Sequence, residues 1–140
     1  MVKKIFNKTI YCLFSLVKFH ELEGKSVVFG CGDDSKISCW CLGKNELIFQ
    51  LSGHYNKVTS ISFCNDGKHM ASSARDNVVI LWDLTMKTNV KTFPVFESIE
   101  DVVCLPSKIE LPSIGVVNGG IYVATGGEKG DVSNYLNLFV

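Results

Sequence analysis

Apolar and polar residues alternate over Val58, Thr59, Ser60, Ile61, Ser62 and Phe63, with Ile61 and Phe63 on one side and Ser60 and Ser62 on the other. A period of two is the pattern of a strand with one buried face. Asn65-Asp66-Gly67 follows as a hairpin turn, because glycine accepts a positive φ at no steric cost. KHMASSA (68–74) then returns as a second strand, and Arg75-Asp76-Asn77 makes another tight turn. The next run, VVILW (78–82), has no polar side at all. Such a strand must be covered on both faces. A fourth strand is predicted over Asn89 to Phe93, and no stretch of the chain carries a convincing helical period. The pattern predicts an all-β protein built of antiparallel sheets that are themselves sandwiched.

The pattern repeats. Trp40 and Trp82 stand 42 positions apart, and DDSKISCWCL (33–42) falls on RDNVVILWDL (75–84). Asp34 and Asp76 each lie six residues before their tryptophan. Upstream, LVKF (16–19) falls on SISF (60–63), and Glu46 to Leu51 is the counterpart of the fourth strand. A weaker third copy lays IYVATGGEKGDVSNYL (121–136) over KHMASSARDNVVILWD, with Tyr135 in the place of Trp82. A period near 40 residues suits one four-stranded propeller blade.

The segment GHYNKVTSISFCNDGKHMASSARDNVVILWDL (53–84) resembles the WD-repeat family almost end to end: a Gly-His, an alternating strand, a DG turn, a small-residue strand, an Asp turn and a closing Trp-Asp. The physical reason can be followed residue by residue. A buried indole can only donate, and without an acceptor it costs about 1–3 kcal/mol. Ser72, on the adjacent strand, is placed to accept from Trp82 and donate onward to His54. The other ring nitrogen of His54 is placed to donate to Asp76, which also braces its turn. That relay resembles the structural tetrad of the family. Asp83 closes the signature without a partner legible in the sequence.

The outer copies depart from this pattern. The first has Gly30 for the serine, no Gly-His upstream, and Cys41 after its tryptophan; the third has Thr125, Lys129 and Tyr135 at the serine, aspartate and tryptophan places. Only the middle copy can hold a full tetrad. The expected organisation of residues 1–140 is therefore a partial propeller: blade one over about 11–51, blade two over 52–93, and a degenerate, incomplete blade three over 94–140. Since propellers use about four to eight blades, about three make an incomplete ring, and the chain is expected to be a fragment of a longer protein.

Ser72, His54 and Asp76 are also the ingredients of a hydrolase triad. Against that reading, there is no G-x-S-x-G elbow, and a tryptophan competes for a mid-strand serine. No catalytic residue is expected. Gly24-Lys25-Ser26 has the tail of a phosphate-binding loop, but Phe19 stands where its first glycine belongs, so it reads as a turn. GGEKGD (126–131) reads the same way. The six cysteines include no CxxC pair, and no histidine stands at zinc-finger spacing. No metal or other cofactor is expected, and the thiols are read as reduced and packed as small hydrophobes, which suits the cytosol or nucleus. The basic, apolar start MVKKIFNKTIYCLFSLVKF is interrupted by Lys18 and lacks a cleavage site, so a buried strand is expected there rather than a signal or a membrane span.

Charge sharpens the choice of partner. Lys and Arg number 14, as do Asp and Glu. Zero net charge argues against a dedicated nucleic-acid surface. With TFPVFESIEDVV (92–103) and SGHYNKVTSISF (52–63), the sequence is similar to the transducin beta-like family of small-subunit processome components over about residues 13–132. The resemblance implies tandem propellers, a nucleolar address, and a scaffold role in ribosomal RNA processing and small-subunit biogenesis. The implied partners are proteins of a large ribonucleoprotein assembly, with indirect or backbone contact to small nucleolar or ribosomal RNA, no membrane and no small-molecule substrate. Asn56, Lys57 and Arg75 are the candidate partner contacts, on the rim of the Gly-His turn. The long connection from Pro106 to Gly120 is a second candidate, on the opposite face. A generic WD-repeat adaptor, for example one presenting substrates to a ubiquitin ligase, is the alternative.

Overall fold

The computed structural model describes residues 3–5, 8–10, 14–106, 108–111, 115–118, 120–129 and 134–138. All regular structure among them is β. After a short hairpin, β1 (Lys3–Ile5) and β2 (Lys8–Ile10), come β3 (Phe14–Leu22), β4 (Lys25–Gly32), β5 (Lys36–Cys41) and β6 (Glu46–Ser52). These four form one antiparallel sheet in chain order. A second sheet repeats the arrangement with β7 (Val58–Phe63), β8 (His69–Ala74), β9 (Val78–Asp83) and β10 (Thr88–Pro94). A third contains β11 (Ile99–Cys104), β14 (Ile121–Gly127) and β15 (Asn134–Leu138). The connection between β11 and β14 carries a hairpin of its own, β12 (Lys108–Leu111) and β13 (Gly115–Asn118). The sheets follow one another as blades of a β-propeller that does not close into a ring.

Local chemistry sets the turns. Asp66 Oδ1 accepts from the amides of Lys68 (2.9 Å) and His69 (3.0 Å), while Gly67 takes φ +70°. At the next turn Asn77 adopts φ +61°, a left-handed conformation that Asn tolerates better than most residues. Asp83 closes the turn after β9 by accepting from the amides of Thr85 and Met86, both at 2.8 Å. This is the local role of the aspartate after the tryptophan.

The apolar run of β9 is divided between two cores. Ile80 and Trp82 pack with Val27, Phe29, Ile37, Cys39, Leu51 and Ile61 in the layer between the first and second sheets. Val79 and Leu81 pack with Ile99, Val102 and Val123 in the layer between the second and third. Alternation along one strand thus supplies both layers, which is why β9 has no polar side.

Polar bonds join the inner strands across both seams. Ser15 Oγ donates to Val58 O (3.2 Å), and Thr59 Oγ1 donates to Ile99 O (2.7 Å). The two bonds are one contact repeated a blade later, because Ser15 and Thr59 each follow the first residue of their inner strand. Lys18 Nζ adds a bond to Ile61 O (2.7 Å), and Ser62 Oγ accepts from the Cys104 amide (2.9 Å).

One part of the third copy differs from the sequence alignment. In the second sheet Ser72 pairs with Ile80 and Met70 with Trp82; in the third, Thr125 pairs with Asn134 and Val123 with Leu136. The turn between the strands is one residue longer there, so Leu136 takes the register place of Trp82 and Tyr135 stands one position earlier.

The sandwiched strand gives a direct expectation. Leu81 is 1 % exposed. Leu81→Ala opens a cavity in the layer between the second and third sheets and is expected to cost about 2–5 kcal/mol, read as a lowered midpoint in chemical denaturation. An unchanged midpoint would mean that this layer is not packed.

Candidate functional site: a buried relay and the rim above it

Four side chains of the second sheet converge. The indole of Trp82 donates from Nε1 to Ser72 Oγ at 2.8 Å. Ser72 Oγ lies 2.7 Å from His54 Nε2, and His54 Nδ1 lies 2.9 Å from Asp76 Oδ2. Only one proton arrangement satisfies every atom. The serine hydroxyl donates to Nε2, and the histidine carries its proton on Nδ1 and donates it to the carboxylate. Asp76 Oδ2 also accepts from the Tyr55 amide (2.9 Å), and Oδ1 accepts from the Val78 amide (3.3 Å). The relay thereby ties β8, β9, the Gly-His turn and the Asp turn together.

Burial governs its chemistry. Ser72 is fully buried, and the His54 and Asp76 side chains are 1 % and 7 % exposed. Burial holds the His54 pKa below its ordinary value of 6.5, against the opposing pull of the Asp76 hydrogen bond and charge. His54 is therefore neutral, as the bond from Ser72 requires. Gly53 has a steric reason as well. A side-chain carbon there would lie 3.0 Å from the Trp82 ring and 3.3 Å from Ile80.

Above the relay lies a rim. Asn56 is exposed and its Oδ1 accepts from the Lys57 amide at 2.7 Å. Lys57 reaches the first sheet, 3.2 Å from Asp33, and Arg75 reaches the third, 3.2 Å from Glu100. Two of the three rim candidates thus bridge neighbouring blades. Tyr55 and Phe96 project fully into solvent beside them, each three residues before an inner strand begins. Tyr11 has the same spacing before Phe14 in the sequence and lies outside the described residues. The hairpin β12–β13 occupies the Pro106–Gly120 connection. Among the described residues, no group of three or more His, Cys, Asp or Glu side chains is arranged to hold a metal ion, and no helix is long and apolar enough to cross a membrane.

Comparison with known proteins agrees with the geometry. Residues 45–83 match the family "WD domain, G-beta repeat". Transducin beta-like protein 3 of Rattus norvegicus is 40 % identical over 115 residues, covering 82 % of this chain. The Bos taurus protein of the same name is 37 % identical over the same length. This chain belongs to the WD-repeat family. It spans only 14 % of either relative's own length. Periodic tryptophan protein 2 homolog of Schizosaccharomyces pombe is 31 % identical over 68 residues, 49 % of this chain and 8 % of that protein. The β-propeller domain of Cps50 (Swd1) from Myceliophteria thermophila superimposes with a TM-score of 0.62 at 19 % identity, covering 80 % of this chain and 32 % of that one. That last likeness concerns the fold alone.

The first sheet leaves the corresponding indole without such a relay. Gly30 stands opposite Ser38 in the register that Ser72 holds opposite Ile80. The ring of Phe14 lies against it, 3.1 Å from where a side-chain carbon would begin. With no hydroxyl available, the buried Nε1 of Trp40 has no hydrogen-bond partner among the described residues. An apolar ring occupies the place of the serine side chain. The sequence shows Gly30 at the serine place, but it does not reveal that Phe14 fills the gap. Asp33 and Glu100 likewise carry no signal in the sequence, because each meets its partner only through blade-to-blade packing.

Two measurements test the relay. Ser72→Ala removes the acceptor of one buried donor and the donor to His54, and is expected to cost about 1–3 kcal/mol; combining it with Trp82→Phe should cost less than the sum of the single changes, since the indole proton is then gone. Stability should also depend on pH with a fixed sign. The His54 pKa is depressed by folding, so the unfolded chain binds the proton more readily. The contribution is complete above pH 6.5 and is lost as the pH falls from there toward the folded-state pKa. Melting curves taken across that window should show a smaller slope for His54→Gln than for the natural protein.

Proposed function

We propose that this chain is a non-enzymatic scaffold module of the small-subunit processome. In this reading it acts in the nucleolus, in ribosomal RNA processing and small ribosomal subunit biogenesis. The observation that carries the non-enzymatic part is the Ser72 oxygen. It accepts from Trp82 and donates to His54 while fully buried. A nucleophilic serine needs an open approach for a substrate carbonyl and donors for the developing oxyanion. Here the indole occupies that approach. The tetrad is then a fold clamp that fixes the Gly-His turn and so the rim that carries Asn56, Lys57 and Arg75.

The processome assignment rests on likeness to transducin beta-like protein 3 across 82 % of the chain, and on the resemblance of residues 92–103 to that family. Partners are read as protein neighbours in a large ribonucleoprotein assembly. Contact with small nucleolar or ribosomal RNA is indirect or through its backbone, as equal numbers of acidic and basic residues suggest.

A fluorescently tagged protein is expected in nucleoli, and affinity purification is expected to bring down small nucleolar RNA. Capture of ubiquitin-ligase subunits without RNA would instead favour the adaptor reading. Hydrolytic turnover that disappears in Ser72→Ala, in a variant that keeps its melting profile, would return the triad to consideration.

A further inference from the structure

The described cysteines do not all behave alike. Cys31 and Cys39 sit in the layer between the first and second sheets, and burial pushes each thiol up to about 12. Cys64 and Cys104 form a pair. Cys64 immediately follows β7 and Cys104 ends β11, so the two face each other across the seam between the second and third blades, at the end remote from the Gly-His turn. Cys64 belongs to the apolar layer of that seam, Cys104 packs against the same layer, and Cys104 bonds to Ser62, two residues before Cys64.

Backbone anchors hold both residues. The Cys64 amide donates to His69 O at 2.9 Å. The Cys104 amide donates to Ser62 Oγ at 2.9 Å, and its Sγ lies 3.5 Å from Ser62 O. Cys64 is 6 % exposed and Cys104 is half-buried. A cavity of about 310 Å³ opens beside Cys64, lined also by Asp66, His69, Leu105 and Ile121 among others. The pair therefore has a route to solvent, whereas Cys31 and Cys39 are fully enclosed.

We infer that Cys64 and Cys104 form a dithiol modification site that closes into a disulfide across the blade seam on exposure to a small disulfide oxidant of the glutathione class. Cys104 is the more exposed of the two thiols and so meets the oxidant first as the attacking sulfur. Its thiolate displaces one glutathione from the oxidant and leaves a mixed disulfide on Cys104. The Cys64 sulfur then attacks the Cys104 sulfur and expels the second glutathione, and the Cys64 proton goes to the departing thiolate. Two protein thiols are oxidised to one disulfide, and one glutathione disulfide is reduced to two thiols. The new bond fixes the ends of β7 and β11 together.

The test is to incubate the protein with glutathione disulfide, block the remaining thiols, digest, and map cross-linked peptides by mass spectrometry. The expected result is loss of two of the six thiols, a Cys64–Cys104 linked peptide pair, and full reversal by dithiothreitol. Cys104→Ser should abolish the cross-link, and Cys31→Ser should leave it. Retention of all thiols, stable glutathione adducts on Cys64 or Cys104 separately, or a link to a different cysteine would each overturn the site. Because the peptides of the natural sequence are mapped directly, the site is tested even where a variant fails to fold.

Discussion

A single donor with nowhere else to go organises the second blade. The indole N–H of Trp82 lies in a layer from which water is excluded, 2.8 Å from Ser72 Oγ. An unsatisfied donor there would cost a substantial part of a domain's net stability. Satisfying it commits Ser72 to accept, which commits His54 to neutrality and to one tautomer. That in turn commits Asp76 to the far end of the relay. Each step fixes a different piece of backbone: β9, then β8, then the Gly-His turn, then the Asp turn. Gly53 belongs to the same constraint, since a larger residue would strike the indole it helps to cover.

The blades are held to one another by a different principle. Within a sheet, ladder hydrogen bonds suffice; between sheets, the alternation of β9 sends Ile80 and Trp82 one way and Val79 and Leu81 the other. Non-directional apolar packing does not by itself fix how far one sheet slides along the next. The repeated bonds from Ser15 to Val58 O and from Thr59 to Ile99 O supply that register. The ion pairs Lys57–Asp33 and Arg75–Glu100 lie at the same seams on the outside. Half-exposed pairs of this kind add little stability. They hold the rim side chains in defined places.

The second blade is legible in the sequence because its local signals agree. The period of two in VTSISF, the Asn-Asp-Gly turn, the apolar run and the closing tryptophan all demand the same four strands. The outer copies are legible as strands but not in their details. Gly30 announces that a serine is missing; that Phe14 fills its place is a matter of tertiary packing. Tyr135 aligns with Trp82 in the sequence because an ungapped comparison cannot register a turn one residue longer, and backbone pairing puts Leu136 there instead. Asp83 has purely local partners, two and three residues on. They are readable in principle from the Asp-Leu-Thr spacing.

The relay also shows how little separates a clamp from a catalyst. Ser72, His54 and Asp76 stand at distances of 2.7 and 2.9 Å, which a hydrolase triad would accept unchanged. The serine of a triad directs its hydroxyl proton to the histidine and keeps its lone pairs toward a substrate. Here one lone pair is engaged by an indole and the residue is sealed beneath two sheets. Activation of a nucleophile and satisfaction of a buried donor call for the same partners in the same order, and access alone distinguishes them. A motif of three residue types therefore carries no reaction until the path of the substrate is known. In this protein that path is filled by the tryptophan whose burial the relay makes possible.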